Sequence, residues 1–303
     1  MHYIPVESLT QFGKLIVKSG SFDRMFSSYF FIPANQKRFI EKGIQSNASF
    51  LIFDLEESVC LNDLSECLIN LQSVKLKDTY WIRIPLHFPL GEKFDDLITR
   101  LHAMGFCRYM LPKLKSEEEF EQIIKYNASY NDLHYGILVE TPELLIRIDQ
   151  LLLKYRKQID CVLIGSHDYC NHIGCKHTFG NLVYLRQRVL TVCKAMNIPV
   201  IDFVTQELTD SPLFIRDCRD AFDMGFDGKA LIHPNQLNLF NKLDYYSQEE
   251  VQEAIKVYEK LQHIDIQKFS VIRVQDRIYE HPHLKRILDI ITWYKNKMNK
   301  DDL

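Results

Sequence analysis

The sequence predicts an α/β fold, a (β/α)8 TIM barrel carrying a C-terminal helical and hairpin appendage. Three observations predict it. Eight short apolar runs, at 29–33, 50–53, 80–84, 108–112, 135–139, 161–164, 199–201 and 229–232, are separated by stretches long enough for a helix, the pattern of parallel β/α units. The length of 303 residues suits one barrel plus an addition better than two unrelated domains. At or just past the ends of the runs stand Asn35, Asp54 with Glu56, Arg83, Lys113, Glu140, Asp168, Asp202 and His233. Barrels of this kind do their chemistry at the C-terminal ends of their strands, so residue order alone gathers acids, an arginine, a lysine and a histidine at one rim.

The elements follow in order. Residues 1–28 read as a helical lead-in, with Gly20 ending the helix and a polar stretch after it. Residues 29–242 read as the barrel. Phe50, Leu51, Ile52 and Phe53 are continuously apolar, as expected of a strand buried on both faces. Ser116 and Glu119 form a capping box ahead of Phe120, Ile123 and Ile124. Leu144, Leu145, Ile148, Leu151 and Leu152 recur at helical spacing. Residues 243–303 read as a lid or oligomerisation segment. There Ser247 and Glu250 start a helix whose apolar face is Val251, Ala254, Ile255, Tyr258 and Leu261. Runs 269–272 and 277–279 flank Gln275-Asp276 as a hairpin, and Pro282 leads a last helix with Leu284, Ile287, Leu288 and Ile291.

Composition narrows the function. The net charge is −3 with no long block of one sign, which argues against nucleic acid or a membrane surface as partner. Residues 1–9 lack the charged and apolar regions of a secretory signal. No apolar run approaches the ~20 residues needed to span a bilayer. The eight cysteines are scattered, which reads as reduced thiols and a cytoplasmic enzyme.

Each polar rim residue has a chemical and a plain reading. Glu140 and Asp168 end consecutive strands. Two hard oxygen donors suit Mg²⁺, which takes one or two protein carboxylates and leaves positions for water and substrate; the plain alternative is a salt bridge to Arg83 or Lys113. Arg83 inside an apolar strand demands a partner: a bidentate substrate carboxylate, or Asp54 or Glu56 next door, or both, an arginine oriented by a carboxylate and offered to a ligand. The acids of Asp54-Leu55-Glu56-Glu57 are otherwise solvated charges before a helix. Lys113 and His233 are ligand contacts or structural residues. His167, Cys170, His172, Cys175 and His177 form one crowded cluster, whereas structural zinc sites present two separated ligand pairs. No Gly-rich phosphate loop and no nucleophile elbow occurs.

Taken in sequence, the motifs are Phe31-Ile32-Pro33, Asp54-Leu55-Glu56-Glu57-Ser58-Val59, Arg83, Leu111-Pro112-Lys113, Val139-Glu140-Thr141-Pro142, Ile164-Gly165-Ser166-His167-Asp168, Ile201-Asp202, and the run from Gly225 through Lys229 and His233 to Gln236. This order resembles the HpcH/HpaI aldolase and citrate lyase beta-subunit family. The resemblance implies a Mg²⁺-dependent carbon–carbon lyase or condensing enzyme in which Glu140 and Asp168 hold the metal. It implies that Arg83 grips a small 2-oxo acid, that Lys113 and His233 contact substrate, and that Asp54 and Glu56 stand among the catalytic groups. It also implies acyl-CoA thioesters as possible substrates, a homotrimer or hexamer, and a lid carboxylate, Glu280, as a candidate base. The chain departs from the family at Ser27 and Ala34, where arginine and glycine are usual, and at Leu64, Cys67 and Leu68, where a lysine and an Ala-Arg pair are usual. A CoA-independent, class II-type 2-oxo acid aldolase and a non-catalytic barrel subunit remain as alternatives.

Overall fold

The computed structural model describes residues 26–86, 94–208, 211–261 and 271–301. Eight parallel strands close a barrel in sequential order. They are β1 (Ser27–Pro33), β2 (Phe50–Asp54), β3 (Tyr80–Arg83), β4 (Arg108–Leu111), β5 (His134–Val139), β6 (Ile159–Ile164), β7 (Val200–Asp202) and β8 (Gly228–Leu231). Between and after them run α1 (Lys37–Ile44), α2 (Leu64–Leu71), α3 (Phe94–Ala103), α4 (Glu117–Tyr126), α5 (Pro142–Tyr155), α6 (Ser166–Ile173), α7 (Phe179–Ala195), α8 (Ser211–Met224) and α9 (Pro234–Phe240). The helical reading of residues 1–20 lies outside the described residues. β1 opens two residues before the apolar run because Ser27 and Ser28 pair with Gly228 and Lys229 to close the barrel. That closure is tight: a Cβ on Gly228 would stand 2.5 Å from the Ser27 carbonyl oxygen.

The barrel interior is packed by Tyr29, Phe31, Ile52, Trp81, Met110, Leu138, Cys161, Leu163, Ile201 and Ala230, side chains from alternating strand positions, so it is a solid core. Helices seal the outside with apolar faces. α5 buries Leu144, Leu145, Ile148, Leu151 and Leu152, the residues its spacing predicts. Ser116 caps α4 by accepting from the Glu119 N–H at 3.4 Å, while Glu119 reaches back to the Lys115 N–H at 2.8 Å.

One rim residue is structural. Asp202 is fully buried and accepts from Arg186 Nε and Nη2 at 3.1 Å each. Lys229, equally buried, lies 3.3 Å from the same carboxylate and donates to the Phe203 carbonyl. Arg186 is wrapped by Phe179, Phe203 and Phe226, 5.3 to 5.4 Å from each ring, and its remaining nitrogen reaches Asp220. Two cations and one buried acid are thus tied into the wall at β7 and β8.

A second compact unit begins at Asp244. It contains α10 (Gln248–Leu261), the antiparallel pair β9 (Ile272–Val274) and β10 (Arg277–Tyr279), and α11 (His281–Asp301). Ser247 and Glu250 exchange both capping hydrogen bonds, at 2.9 and 3.2 Å. The first hairpin strand is shifted from 269–272 to Ile272–Val274, because the two-residue turn at Gln275-Asp276 pairs Val274 directly with Arg277; residues 269 and 270 lie outside the described residues. Arg277 clamps Glu253 with two 2.7 Å contacts, and Arg286 pairs with Glu250 at 2.7 Å. Among the described residues no helix is long and apolar enough to cross a membrane.

Truncating Asp202 to alanine would leave Arg186 and Lys229 buried without their shared counter-charge. The expected cost is ~3–5 kcal/mol of unfolding free energy, read from denaturant midpoints. A loss below about 1 kcal/mol, ordinary for a surface change, would show that Asp220 and the aromatic rings suffice.

Candidate active site

Strand register sets the centre of the site. β2 and β3 pair so that Asp54 stands directly opposite Arg83. Asp54 is 1 % exposed and Arg83 8 %. Arg83 donates from Nε to Asp54 Oδ1 at 2.6 Å and from Nη2 to Oδ2 at 2.7 Å, a bidentate fork. The remaining acceptor positions of Asp54 take the backbone N–H groups of Glu56 and Ser58 at 3.1 and 3.0 Å, and the Ser58 hydroxyl. Burial alone would raise the Asp54 carboxyl; the Arg83 guanidinium outweighs it and holds the group below the usual carboxylate range. With every acceptor position engaged, Asp54 orients Arg83 and has no room to take a substrate proton. The sequence listed it among the catalytic groups; the geometry gives it a positioning role.

Nη1 of Arg83 faces the loop acids, 3.3 Å from Glu56 and 3.2 Å from Glu57, while the guanidinium lies 5.0 Å from the Phe31 ring centre. Lys113, at φ 55°, donates from Nζ to Glu56 and stands 3.5 Å from Glu57. Burial opposes the Lys113 charge, but the Glu56 hydrogen bond and the surrounding acids outweigh it and raise its pKa. Glu56 Oε2 is buried and accepts no hydrogen bond.

Glu140 follows β5 and is 2 % exposed. Its Oε1 accepts from the Lys113 backbone N–H. Burial first, then the nearby charges of Asp168 and Glu56, push its carboxyl up to about 8. Asp168, in the first turn of α6, is pushed up to about 6 by burial and by a hydrogen bond with Glu57. On Glu57 burial is outweighed by Arg83, so its carboxyl sits low. Gly165, between β6 and α6, is required by Glu140: a Cβ there would fall 2.4 Å from Glu140 Oε2 and 2.6 Å from its Cβ.

Structure thus brings Asp54, Glu56, Arg83, Lys113, Glu140 and Asp168 to one end of the barrel. The carboxyls of residues 54, 56, 57, 140 and 168 outnumber the two cations, Arg83 and Lys113. That surplus, with Glu56 Oε2 accepting no hydrogen bond although it lies 3.3 Å from Arg83, fits a hard divalent cation held by Glu140 and Asp168. Among the described residues no three His, Cys, Asp or Glu side chains converge as a ready ligand set; a Mg²⁺ site needs only one or two protein carboxylates. His233 caps α9, its Nδ1 accepting from the Asn235 N–H at 3.1 Å, which leaves only the other ring nitrogen for a ligand. Glu280 belongs to the C-terminal unit, exposed, with its backbone N–H donating to His283 Nδ1 at 3.0 Å. Asn35 donates to Asp63 at 3.2 Å.

Sequence reasoning passed over Gly165, Ser58 and the Glu57–Asp168 bond. A glycine directly after an apolar strand is the signal that marks a close approach. Ser58 and Glu57 stood in the motif after Asp54, with nothing in the sequence to mark their contacts.

The HpcH/HpaI aldolase/citrate lyase family model matches residues 27–234. The human mitochondrial citramalyl-CoA lyase is 25% identical over 287 residues, covering 86% of this chain and 83% of that protein. A (3S)-malyl-CoA thioesterase of Cereibacter sphaeroides is 24% identical over 278 residues, covering 86% and 91%. The citrate lyase subunit beta of Haemophilus influenzae is 22% identical over 282 residues, covering 86% and 93%. Among solved structures, CitE from Mycobacterium tuberculosis in complex with magnesium, acetoacetate and coenzyme A shares the fold with a TM-score of 0.75. It is 20% identical and the match covers 88% of this chain and 97% of that one.

Two outcomes check the site. Glu140 binds its proton more tightly folded than unfolded, so its contribution is fully present below about pH 4.5, its ordinary value, and is lost as pH rises through about 8. Metal-free protein should therefore lose stability across that window, and Glu140→Gln should flatten the curve; equal slopes in the two proteins would remove Glu140 from the account. Gly165→Ala should weaken Mg²⁺ binding by roughly tenfold or more in calorimetry, the scale seen when a ligand's orientation is disturbed. Unchanged affinity would mean that Glu140 does not need the space.

Proposed function

The chain belongs to the HpcH/HpaI aldolase/citrate lyase family, and we propose that it is a Mg²⁺-dependent carbon–carbon lyase or condensing enzyme acting on a small 2-oxo acid or acyl-CoA thioester. The observation that carries this is the acid surplus around a clamped arginine. Glu140 and Asp168 would hold the ion, releasing their protons as it binds. When bound, the ion supplies Lewis-acid polarisation of the substrate's carbonyl oxygen.

The chain's own residues do the rest. Arg83 cannot swing, because Asp54 holds two of its nitrogens. It presents a fixed positive charge to a carboxylate or to an oxygen that gains charge as the bond breaks. Such preorganised charge in a site shielded from water stabilises a transition state by several kcal/mol, on the order of 2.7–4 per donor. In the cleavage direction a substrate hydroxyl gives its proton to a carboxylate, the C–O bond becomes a carbonyl, and the carbon–carbon electrons leave as an enolate. Glu56 is the in-place candidate for that proton, with Lys113 positioning it. Glu280, from the lid of a neighbouring subunit in a trimer or hexamer, is the other.

The relatives named for acyl-CoA substrates support the thioester reading. Of the departures that weigh against it, Ser27 opens β1 at the N-terminal end of the barrel, away from the rim. Ala34 follows β1 at the rim, fully buried, its N–H donating to the Asp54 carbonyl at 3.1 Å. The CoA-independent aldolase reading rests on Ala34 and the α2 residues.

A thermal-shift screen of oxo acids tests the proposal, since ligands that bind the folded state raise the midpoint. Oxo acids should stabilise the protein only with Mg²⁺ present, and Glu140→Ala and Asp168→Ala should each abolish that response. Arg83→Lys should lower kcat/KM roughly a hundredfold or more, because lysine cannot reproduce the fork. Retention of metal-dependent binding in both acid variants would overturn the site. Free CoA at millimolar concentration should compete with substrate; no competition favours the aldolase.

A further inference from the structure

The helix that carries Asp168 is tied at both ends to the loop that follows it. At its first residue, the Ser166 hydroxyl meets His177 Nε2 at 2.8 Å, and the His177 ring stacks on His167 with centres 3.9 Å apart and planes 5° from parallel. At its far end α6 stops at Gly174, whose φ of 71° is the left-handed conformation that glycine tolerates without strain. The Cys175 N–H donates back to the Cys170 carbonyl at 3.1 Å. A turn closed by that bond folds its sixth residue back against its first, and a disulfide requires two Cα atoms to approach in this way. The two thiols lie within hydrogen-bonding reach of each other across the turn.

We infer that Cys170 and Cys175 are a redox modification site, a dithiol that oxidises reversibly to an intramolecular disulfide bracing the end of the helix that bears Asp168. Access is ordered. Cys170 is 4 % exposed and Cys175 is partly exposed, so an oxidant meets Cys175 first. With a disulfide oxidant such as oxidised glutathione, the Cys175 thiolate attacks one sulfur and expels a glutathione thiolate. The Cys170 sulfur then attacks the Cys175 sulfur of the mixed disulfide, and the second glutathione leaves. Two electrons pass to the oxidant, which becomes two thiols and takes up the two protons lost by the cysteines. Cys67, Cys161, Cys193 and Cys218 are buried and have no such path. Cys60 is exposed and Cys107 partly exposed, and each should stop at the mixed disulfide.

The test uses the full chain, folded, without Mg²⁺, treated with oxidised glutathione and analysed by peptide mass. Because no metal or substrate enters, its outcome is independent of the proposed lyase activity. The expected result is loss of two hydrogens from the peptide joining residues 170 and 175, reversed by dithiothreitol. Cys175→Ser should leave Cys170 unmodified. Cys170→Ala should trap stable glutathione on Cys175. In the oxidised protein, amide exchange through residues 166–175 should slow by roughly tenfold, as for a segment whose local opening is restrained. A wild-type protein that keeps glutathione on Cys175 without forming the internal bond would overturn the inference. So would exchange that is no slower once the bond has formed.

Discussion

A buried guanidinium held by a buried carboxylate is the interaction on which the rim of this barrel depends. Asp54 and Arg83 face each other because β2 and β3 are in register; a slip of one residue would turn one of them to the other face. Taking both charges out of water is costly, and the fork offsets that cost only while its hydrogen bonds are intact. Ser58 and the loop N–H groups complete the Asp54 shell, so the loop after β2 is folded by the same carboxylate. That loop delivers Glu56 and Glu57 to Arg83 and Lys113, and Glu57 in turn reaches Asp168. The rim is therefore one connected ionic network.

The network has more acid than base. Glu140 lies deep beneath it, its side chain accepting, among the described residues, from one backbone N–H, and Gly165 leaves it the space to lie there. Without a counter-ion the surplus is relieved by protons, which is why burial and neighbouring acids raise both Glu140 and Asp168. A divalent cation would relieve the same surplus without protons. The arrangement that makes these carboxyls poor acids is the one that would suit them to a cation.

The second ionic cluster shows what a closed network looks like. Around Asp202 the cations and the acids are matched, and three aromatic rings and a backbone carbonyl occupy the remaining faces of Arg186 and Lys229. Both clusters sit at strand ends, both contain a buried aspartate gripped by arginine, and residue order alone treats them alike. What separates them is whether negative charge is left unmatched. At Asp202 the carboxylate and its cations are satisfied; at the rim, five carboxyls share two cations and Glu56 Oε2 accepts no hydrogen bond.

Strand number, strand order and the set of residues at the rim were legible in the sequence. A parallel β/α alternation has few closed solutions, and residues at strand C-termini must share one end of a barrel. Capping signals at Ser116 and Ser247 were legible for a similar reason, since they are local and involve residues three apart. Partnership was legible only in part: Asp54 stood among the expected partners of Arg83, but nothing in the sequence chose it. Whether Arg83 is free or clamped depends on a residue 29 positions away, and whether Asp202 is functional or structural depends on Arg186 and Lys229, which lie on other elements. Gly165 reads as a turn until Glu140 is seen against it. Sequence determines which groups arrive at the rim because periodicity and order are properties of the chain. Tertiary structure decides which of them are spent on one another, because hydrogen bonds and burial are properties of space.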